Sequence, residues 1–350
     1  AFAKKFTMAI VVVFLISVIF FYFILAFKIA PKTNLFLILI IFGLLMYAWR
    51  LSYNNILNLG TPTRTVLLVG ANETATAIAR AIQDNPQFGY ELVLWAKDNL
   101  SNPSTERQVS EMISSHKINL VALSLESKKY FKGTGLIYKN LASEIEVVDL
   151  IELYETLFGK IPLPELDEMW FFKNLTVHHT IYDVLKRPLE IALAVVLWLL
   201  TLPLFLLIAF LVKSTSPGSA FFSQVRVGKH GRKFVLWKFR TMRNDAEKHG
   251  PAWAMPNDDR VTSIGKILRS THLDELPQLF NIMAGDLSLV GPRPERPEFV
   301  SQLAEAIPFY DVRHTVEPGL TGWAQLNYRY GSSVKDAYEK LQYDIYYLKH

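Results

Sequence analysis

Apolar residues gather into three long runs, and between the runs the pattern changes period. Met8 to Phe27 is an uncharged, almost wholly apolar run of about twenty residues, which at about 1.5 Å per residue reaches across a hydrocarbon core of about 30 Å. A shorter run, Asn34 to Trp49, follows after Lys28, Pro31 and Lys32. The pair predicts a tight transmembrane hairpin over residues 1–60, with Tyr47 and Trp49 as interfacial aromatics. A cleaved signal peptide fits less well, because a second run follows at once and no small-residue cleavage site separates the two. The sequence opens on Ala1, so the hairpin is read as part of a truncated membrane domain. Lys4, Lys5 and Arg50 stand against Lys28 and Lys32, which leaves its orientation open.

After Thr61-Pro62 the apolar runs shorten to strand length. Thr65–Val69 predicts a buried strand, Gly70-Ala71-Asn72 a turn and Thr74–Gln83 a helix. Further strands are expected at Glu91–Trp95, Asn119–Leu123 and Glu146–Leu150, alternating with helix-compatible stretches, so residues 61–152 read as a small doubly wound α/β domain. The opening turn departs from a dinucleotide fingerprint. G-x-G-x-x-G lets backbone and helix approach a pyrophosphate, but here the run is Gly70-Ala71-Asn72-Glu73-Thr74-Ala75, with two glycines replaced and Glu73 where phosphate would sit. A degenerate Rossmann-like scaffold without cofactor is expected, joined by a linker at 153–182 to a mostly α catalytic domain at 183–350.

The third run, Pro188 to Val212, is long enough to span, yet Pro203 near its middle removes a backbone hydrogen bond and predicts a helix break. Lys186 and Arg187 precede it; Lys213, Arg226, Lys229, Arg232, Lys233, Lys238, Arg240 and Arg243 follow. Positive charge at both ends favours a re-entrant helix over 188–212 that returns to the same face. The fold class expected is therefore an α/β membrane protein: transmembrane hairpin, small parallel Rossmann-like domain, and a mostly α domain with a re-entrant helix.

Composition agrees with this division. The 350 residues are 51% hydrophobic and 20% charged, and Lys+Arg 37 against Asp+Glu 32 gives a formal charge of +5, a mild excess suited to anionic lipid or phosphorylated substrates. Cys 0 excludes disulfides, thiolate zinc sites, iron–sulfur clusters and cysteine nucleophiles within the sequence. The stretch Gln224–Met242 interleaves cations with aromatics. That pattern can serve single-stranded nucleic acid, but directly after a membrane segment it fits a polybasic collar on anionic lipid, and no nucleic-acid partner is expected.

The chemistry centres on Arg269-Ser-Thr-His-Leu-Asp274-Glu275-Leu-Pro-Gln278. Adjacent carboxylates on a helix diverge by about 100°, so one can face a reacting phosphorus while the other holds a hard divalent cation. Thr271-x-x-Asp274 also resembles a helix cap, in which case the pair is structural. Nearby lie a proline-fixed loop, Gly291-Pro292-Arg293-Pro294-Glu295-Arg296-Pro297, and the segments Ile307–His314 and Pro318–Gln325.

Together with Lys238-Phe-Arg-Thr-Met242 and Leu273-Asp-Glu-Leu-Pro-Gln278, these segments closely resemble the bacterial sugar transferase family, the polyprenyl-phosphate hexose-1-phosphate transferases. The likeness covers about residues 183–350, and the amino-terminal half looks like that of the larger, exopolysaccharide-type members. It implies transfer of sugar-1-phosphate from a UDP-sugar to undecaprenyl phosphate with release of UMP, the first membrane step of exopolysaccharide, O-antigen or capsule synthesis. Asp274 would be the nucleophile, forming an aspartyl-phosphosugar intermediate, and Glu275 would hold Mg2+. Lys238, Arg240, Arg269 and Arg293 become candidates for substrate phosphate, and Arg187 for the lipid phosphate. The resemblance also implies a multi-pass protein of the bacterial inner membrane with its catalytic domain on the cytoplasmic side, in contact with membrane lipids. Glu295–Phe299 and Pro318–Gln325 lean toward UDP-glucose or UDP-galactose, and a homo-oligomer is left open. Glu190 stands where members often have Asp, His272 lies in a lead that is usually Ser/Thr-rich, and the sequence stops at His350, short of a further helical segment.

Two other classes are weighed. A membrane-anchored nucleotide-sugar dehydratase or epimerase would also join membrane helices to a nucleotide fold, and Tyr182-x-x-x-Lys186 mimics its catalytic spacing, but it lies about 110 residues beyond Gly70 and abuts the membrane run. A non-enzymatic membrane scaffold would use Asp274 and Glu275 only as caps.

Overall fold

A computed structural model of the chain describes residues 8, 12–14, 17, 37–38, 40–50, 52, 64–96, 118–124, 145–175, 181–246, 258–328, 331 and 333–350. Most of the expected hairpin over 1–60 lies outside these residues. Within it an apolar helix runs over Ile40–Arg50.

The amino-terminal globular part is a four-stranded parallel sheet in the order β2-β1-β3-β4, where β1 is Arg64–Val69, β2 Tyr90–Ala96, β3 Leu120–Leu123 and β4 Glu146–Asp149. Val66–Val69 are wholly buried because β1 is central and covered on both faces, which is why this strand reads as a continuous apolar run rather than an alternating one. Helix α1 (Glu73–Asp84) packs Ile78, Ala79 and Ile82 on one face of the sheet, and α2 (Leu150–Phe158) adds Leu150, Leu153 and Tyr154 to the same core. The four expected strands and the first helix therefore fall within a residue or two of their predicted bounds. Leu150, expected to end the last strand, instead begins α2.

The stretch expected to be a linker carries most of α2, and its following residues are packed rather than loose. Ile161, Leu163 and Trp170 are buried against Phe299, Leu303, Ile307, Leu341 and Ile345, and Ile161 N donates to Gln342 O at 3.1 Å.

The third apolar run forms one helix, α3, from Ile181 to Thr215, with Pro188 and Pro203 inside it. The helix runs through Pro203 instead of ending there. Proline deprives the Leu199 carbonyl of its usual donor, while the nearby Thr201 hydroxyl back-bonds to Leu197 O at 2.7 Å. One stripe of α3 faces protein: Glu190, Ala194, Phe205, Ile208 and Val212 are buried, with Trp198 packed beside Phe280. The opposite side exposes Leu189, Val196, Leu200, Leu207 and Phe210.

Against that stripe sit the antiparallel hairpin of β5 (Phe221–Val227) and β6 (Lys233–Phe239), helix α4 (Ser263–Thr271) and helix α5 (Gln278–Ala284). A two-strand parallel ladder pairs β7 (Ser288–Val290) with β8 (Gly319–Thr321). Helices α6 (Pro297–Ala306) and α7 (Val334–Lys349) close the body and meet the amino-terminal part through Ile151 and Ile161.

Candidate active site

Asp274 and Glu275 occupy a single 3-10 turn, Leu273–Glu275, between α4 and α5. Three local features set it there. Gly265 in α4 lies so close to the Thr241 backbone that a Cβ would sit 2.1 Å from Thr241 O, so only glycine permits this approach. The approach brings Arg269 Nε within 2.9 Å of Thr241 Oγ1. His272 then ends α4 in the left-handed region at φ 56°, which Asn, Asp and His tolerate better than most residues, and turns the chain into the carboxylate pair. The pair does not cap a helix. Thr271 spends its hydroxyl on Ile267 O and Leu268 O, and the N-cap of α5 is Pro277, with no side-chain cap bond.

The two carboxylates differ in surroundings although both are buried. Glu275 Oε1 accepts from Lys238 Nζ at 2.7 Å and from Arg293 NH2 at 2.7 Å. Burial pushes Glu275 upward, but the charges of Arg293 and Lys238 overcome it and hold its pKa at about 2. Burial, followed by the Arg293 charge, brings Lys238 down to about 8. Asp274 makes no hydrogen bond among the described residues, and burial raises its carboxyl above the ordinary value even though Lys238 pulls the other way. Lys238, Arg269 and Arg293 all act on it electrostatically. A buried carboxylate with free lone pairs beside three cations can attack an anionic phosphorus, because the cations screen the repulsion between two anions.

Arg293 reaches the dyad from the proline-fixed loop, and the loop is itself clamped. Gly319 approaches Gly291 so closely that a Cβ on it would lie 2.1 Å from Gly291 N; the contact lets Gly319 N donate to Pro292 O and Gly291 N to Thr321 O. Arg226 NH1 donates to Pro294 O at 3.0 Å and to Glu295 Oε1 at 3.1 Å. From below, Arg313 NH2 donates to Arg293 O at 2.8 Å and pairs with Asp344 of α7 at 3.0 Å, while NH1 donates to Tyr310 Oη at 2.7 Å. Arg226, Arg313 and Asp344 are not among the site residues expected from the sequence: Arg226 counts there only as one of the cations after the third apolar run, and nothing in the segment Ile307–His314 indicates that the Arg313 guanidinium points inward.

The structure thus brings together Lys238, Arg269, Asp274, Glu275 and Arg293, drawn from four separate segments. It does not bring Arg240 or Arg187 to them. Arg240, nearly buried, gives its donors to Ser216 O, Ser216 Oγ, Pro217 O and Asn244 Oδ1, fastening the end of α3 to the start of the hairpin. Arg187 donates to Leu287 O and Ile282 O and lies 3.7 Å from Glu190, whose carboxylate accepts from Ser288 Oγ and Leu289 N. These contacts pin the amino end of α3 to α5 and β7.

Among the described residues no three metal-ligating side chains converge. The donor set nevertheless fits Mg2+, which commonly takes only one or two protein carboxylates and fills its shell with phosphate and water. Asp274 and the second oxygen of Glu275 supply such hard donors, since Lys238 and Arg293 both engage Oε1.

In the amino-terminal part, the turn after β1 is already filled. Asn72 Oδ1 accepts from Ala75 N at 2.8 Å as the cap of α1, and Asn72 Nδ2 donates to the buried Glu165 at 2.5 Å. The Glu165 carboxylate is thus bonded to the N-cap of α1, the helix end toward which a dinucleotide fold directs its phosphate. The side chain of Tyr182 lies outside the described residues.

Residues 181–350 match the family model described as bacterial sugar transferase. A UDP-N-acetylgalactosamine-undecaprenyl-phosphate N-acetylgalactosaminephosphotransferase of Aeromonas hydrophila is 42% identical over 207 residues, 59% of this chain and 48% of that protein. A UDP-glucose:undecaprenyl-phosphate glucose-1-phosphate transferase of Escherichia coli is 31% identical over 306 residues, 83% of this chain and 65% of its own length. A shorter Bacillus subtilis protein described as a putative undecaprenyl-phosphate N-acetylgalactosaminyl 1-phosphate transferase is 45% identical over 132 residues, 38% of this chain and 74% of that protein. The chain spans about half of the first of these curated relatives and just under two thirds of the second.

Proposed function

The chain belongs to the bacterial sugar transferase family, and from that premise we propose that it transfers a sugar-1-phosphate from a UDP-sugar to undecaprenyl phosphate at the cytoplasmic face of the inner membrane. The observation that carries this reading is the contrast within the dyad: one carboxylate is tied to two cations, and its neighbour is buried, unbonded and faced by three.

Asp274 attacks the sugar-bearing phosphorus, the bond from that phosphorus to the bridging oxygen breaks, and UMP departs with that oxygen. An oxygen of the lipid phosphate then attacks the same phosphorus, the acyl-phosphate bond breaks, and the Asp274 carboxylate is restored. Each step exchanges one anionic nucleophile for one anionic leaving group, so no general base is required. Lys238, Arg293 and Arg269 bind the diphosphate, and Glu275 sets the first two in place. Glu275 and Asp274 would hold Mg2+, which would supply charge neutralisation at the substrate phosphates. Arg240 and Arg187 hold α3 against this body rather than touching the diphosphate. The donor is a UDP-hexose, with N-acetylgalactosamine and glucose as the sugars that its relatives' names suggest.

The membrane reading rests on α3. Its 31 residues from Leu185 to Thr215 are apolar enough to cross a bilayer. Yet the stripe from Glu190 to Val212 packs on the catalytic body along about 33 Å of helix, and spanning would draw that body and its charges to membrane depth. In our reading both ends of α3 stay on the cytoplasmic face and its exposed apolar side enters the lipid, which keeps Asp274 in the plane where a lipid phosphate is confined. The amino-terminal parallel sheet acts as a scaffold without a nucleotide of its own.

Incubation of the full chain in lipid nanodiscs with UDP-hexoses, Mg2+ and undecaprenyl phosphate should release UMP, and the Asp274→Asn protein should release none. Equal release by the two proteins, or none from any UDP-hexose, would refute the proposal.

A further inference from the structure

The hairpin of β5 and β6 has two unlike faces. Residues paired across an antiparallel ribbon share a face, and neighbours along a strand take opposite faces. The pairs Arg226 with Phe234, Gln224 with Leu236 and Phe222 with Lys238 therefore form one face. It looks into the catalytic body: Arg226 reaches Glu295, Lys238 reaches Glu275, and Leu236 is buried with Leu279 and Ile282 of α5. The pairs Phe221 with Phe239, Ser223 with Trp237 and Val225 with Val235 form the other face. At its open end lies α3, with the Phe205 ring 5.7 Å from that of Phe221 and 4.9 Å from that of Phe239. Farther along, this face is uncovered among the described residues: Val225 is 46% exposed, and Val235 and Trp237 are each 43% exposed.

An antiparallel ribbon packed on one face ordinarily turns polar side chains to water on the other. Here the outer face carries two valines and a tryptophan beside Ser223, and it lies on the side of the hairpin that α3 occupies. The apolar surface is continuous with that helix. Phe280, 39% exposed, sits between Trp198 and Phe205 of α3 at ring distances of 5.7 and 6.0 Å, and Phe205 carries the contact on to Phe221. At the far end of the face, Arg232 and Lys233 are exposed at the turn into β6. Apolar side chains flanked by cations, with tryptophan among them, suit the interfacial layer of an anionic bilayer. Such a contact also has a mechanical use. A helix lying alone in an interface can roll about its long axis, and a second contact beside it stops the roll. Because Trp237 and Lys238 are neighbours on opposite faces, seating Trp237 in the interface fixes how the dyad stands above the lipid.

We propose that the outer face of the β5–β6 hairpin, formed by Val225, Val235 and Trp237, is a second membrane-docking surface, seated in the interfacial layer of an anionic bilayer beside α3. This rests on the reading of α3 given above. The experiment uses the full chain in nanodiscs of phosphatidylcholine and phosphatidylglycerol, with and without a doxyl quencher high on the acyl chain. Single cysteines at four exposed positions carry a nitrobenzoxadiazole label: Val225→Cys and Val235→Cys on the hairpin, Leu200→Cys on α3 and Glu305→Cys on α6 as the aqueous control. Both hairpin labels should lose emission to the quencher as far as the Leu200 label does, while the Glu305 label keeps its brightness. If the Leu200 label escapes quenching, the membrane reading of α3 fails, and the docking surface with it. If Leu200 is quenched but the Val225 or the Val235 label stays as bright as that at Glu305, the docking proposal alone is overturned. Disulfide crosslinking of Val235→Cys between two chains, with its label untouched by the quencher, would overturn it too and give this face to a second copy.

Discussion

Arg313 donates a 2.8 Å hydrogen bond to the backbone carbonyl of Arg293, whose own side chain reaches Glu275. The same guanidinium donates to Tyr310 Oη and pairs with the Asp344 carboxylate, and these partners raise its pKa although burial alone would lower it. Arg313 therefore links α7 to Arg293, the arginine proposed above to bind substrate phosphate.

Lysine at position 313 would keep the charge opposite Asp344 but cannot offer the planar fork that serves three acceptors. Arg313→Lys should fold, while UMP release falls on the order of 10²-fold through misplacement of Arg293. A variant that melts normally and turns over at the wild-type rate would remove Arg313 from the mechanism.

The two dyad carboxylates should respond oppositely to neutralisation. Asp274 is buried and unbonded with its pKa raised, so above that pKa its charge costs stability; Asp274→Asn should raise the melting temperature by roughly 2–4 °C while abolishing turnover. Glu275→Gln strips the shared acceptor from Lys238 and Arg293. The loss should be about 3 kcal/mol, at the low end for a broken buried pair because Arg293 is one-third exposed. Thermal melts of the two variants beside wild type check both signs.

Protonation of Lys238 sets an alkaline limit. With its pKa near 8, the phosphate-binding charge disappears as pH rises through 8, so kcat/KM should fall there, and Lys238→Arg should move that limb upward. Stability runs the other way for this group. Its folded pKa is depressed from 10.5, so the folded state is penalised below 8 and gains as pH rises from 8 toward 10.5. Glu275 has the opposite acid-side sign: its contribution is complete above 4.5 and is lost as pH falls toward 2. An activity profile flat through pH 8 would show that the Lys238 charge is not used.

What the sequence made legible was set by range. The four strands and the first helix of the parallel sheet follow from local apolar runs and turn residues. Asp274 and Glu275 announced themselves as neighbours in a motif. Which cations meet them was not local: Lys238, 37 positions before Glu275, and Arg240 two residues later look alike in the sequence and would share a face of a continuing strand, yet β6 ends at Phe239, and beyond it Arg240 goes to Ser216 and Pro217 while Lys238 meets the dyad. Arg313 was invisible as a site residue because its link to Arg293 depends on burial. Pro203 was expected to kink or break α3, but the helix continues through it where packing of Trp198 and Phe205 around Phe280 brackets the missing hydrogen bond.

Occupation of the turn after β1 by Glu165 predicts an amino-terminal part indifferent to nucleotides. Adding NAD or a nucleoside diphosphate should leave the protection of α1 and β1 amides from hydrogen exchange unchanged in an Asp274→Asn background, where turnover is silent. Glu165→Ala should cost roughly 1–3 kcal/mol through the donor left on Asn72. Protection that rises with NAD in the unmutated turn would restore the cofactor reading.

Topology gives the most direct test of how α3 meets the membrane. The sequence contains no cysteine, so single cysteines can be read without background. Lys173 and Arg243 are exposed and flank α3, one before Ile181 and one after the β5–β6 hairpin. If α3 lies along the catalytic body with both ends on one face, Lys173→Cys and Arg243→Cys should both resist an impermeant maleimide in intact cells and both react in inverted vesicles. Leu200→Cys, on the exposed apolar side, should resist in each preparation and react only in detergent. Lys173 and Arg243 labelled from opposite faces would mean that α3 spans, and the contact of its Glu190-to-Val212 stripe with the catalytic body could not then persist in the bilayer.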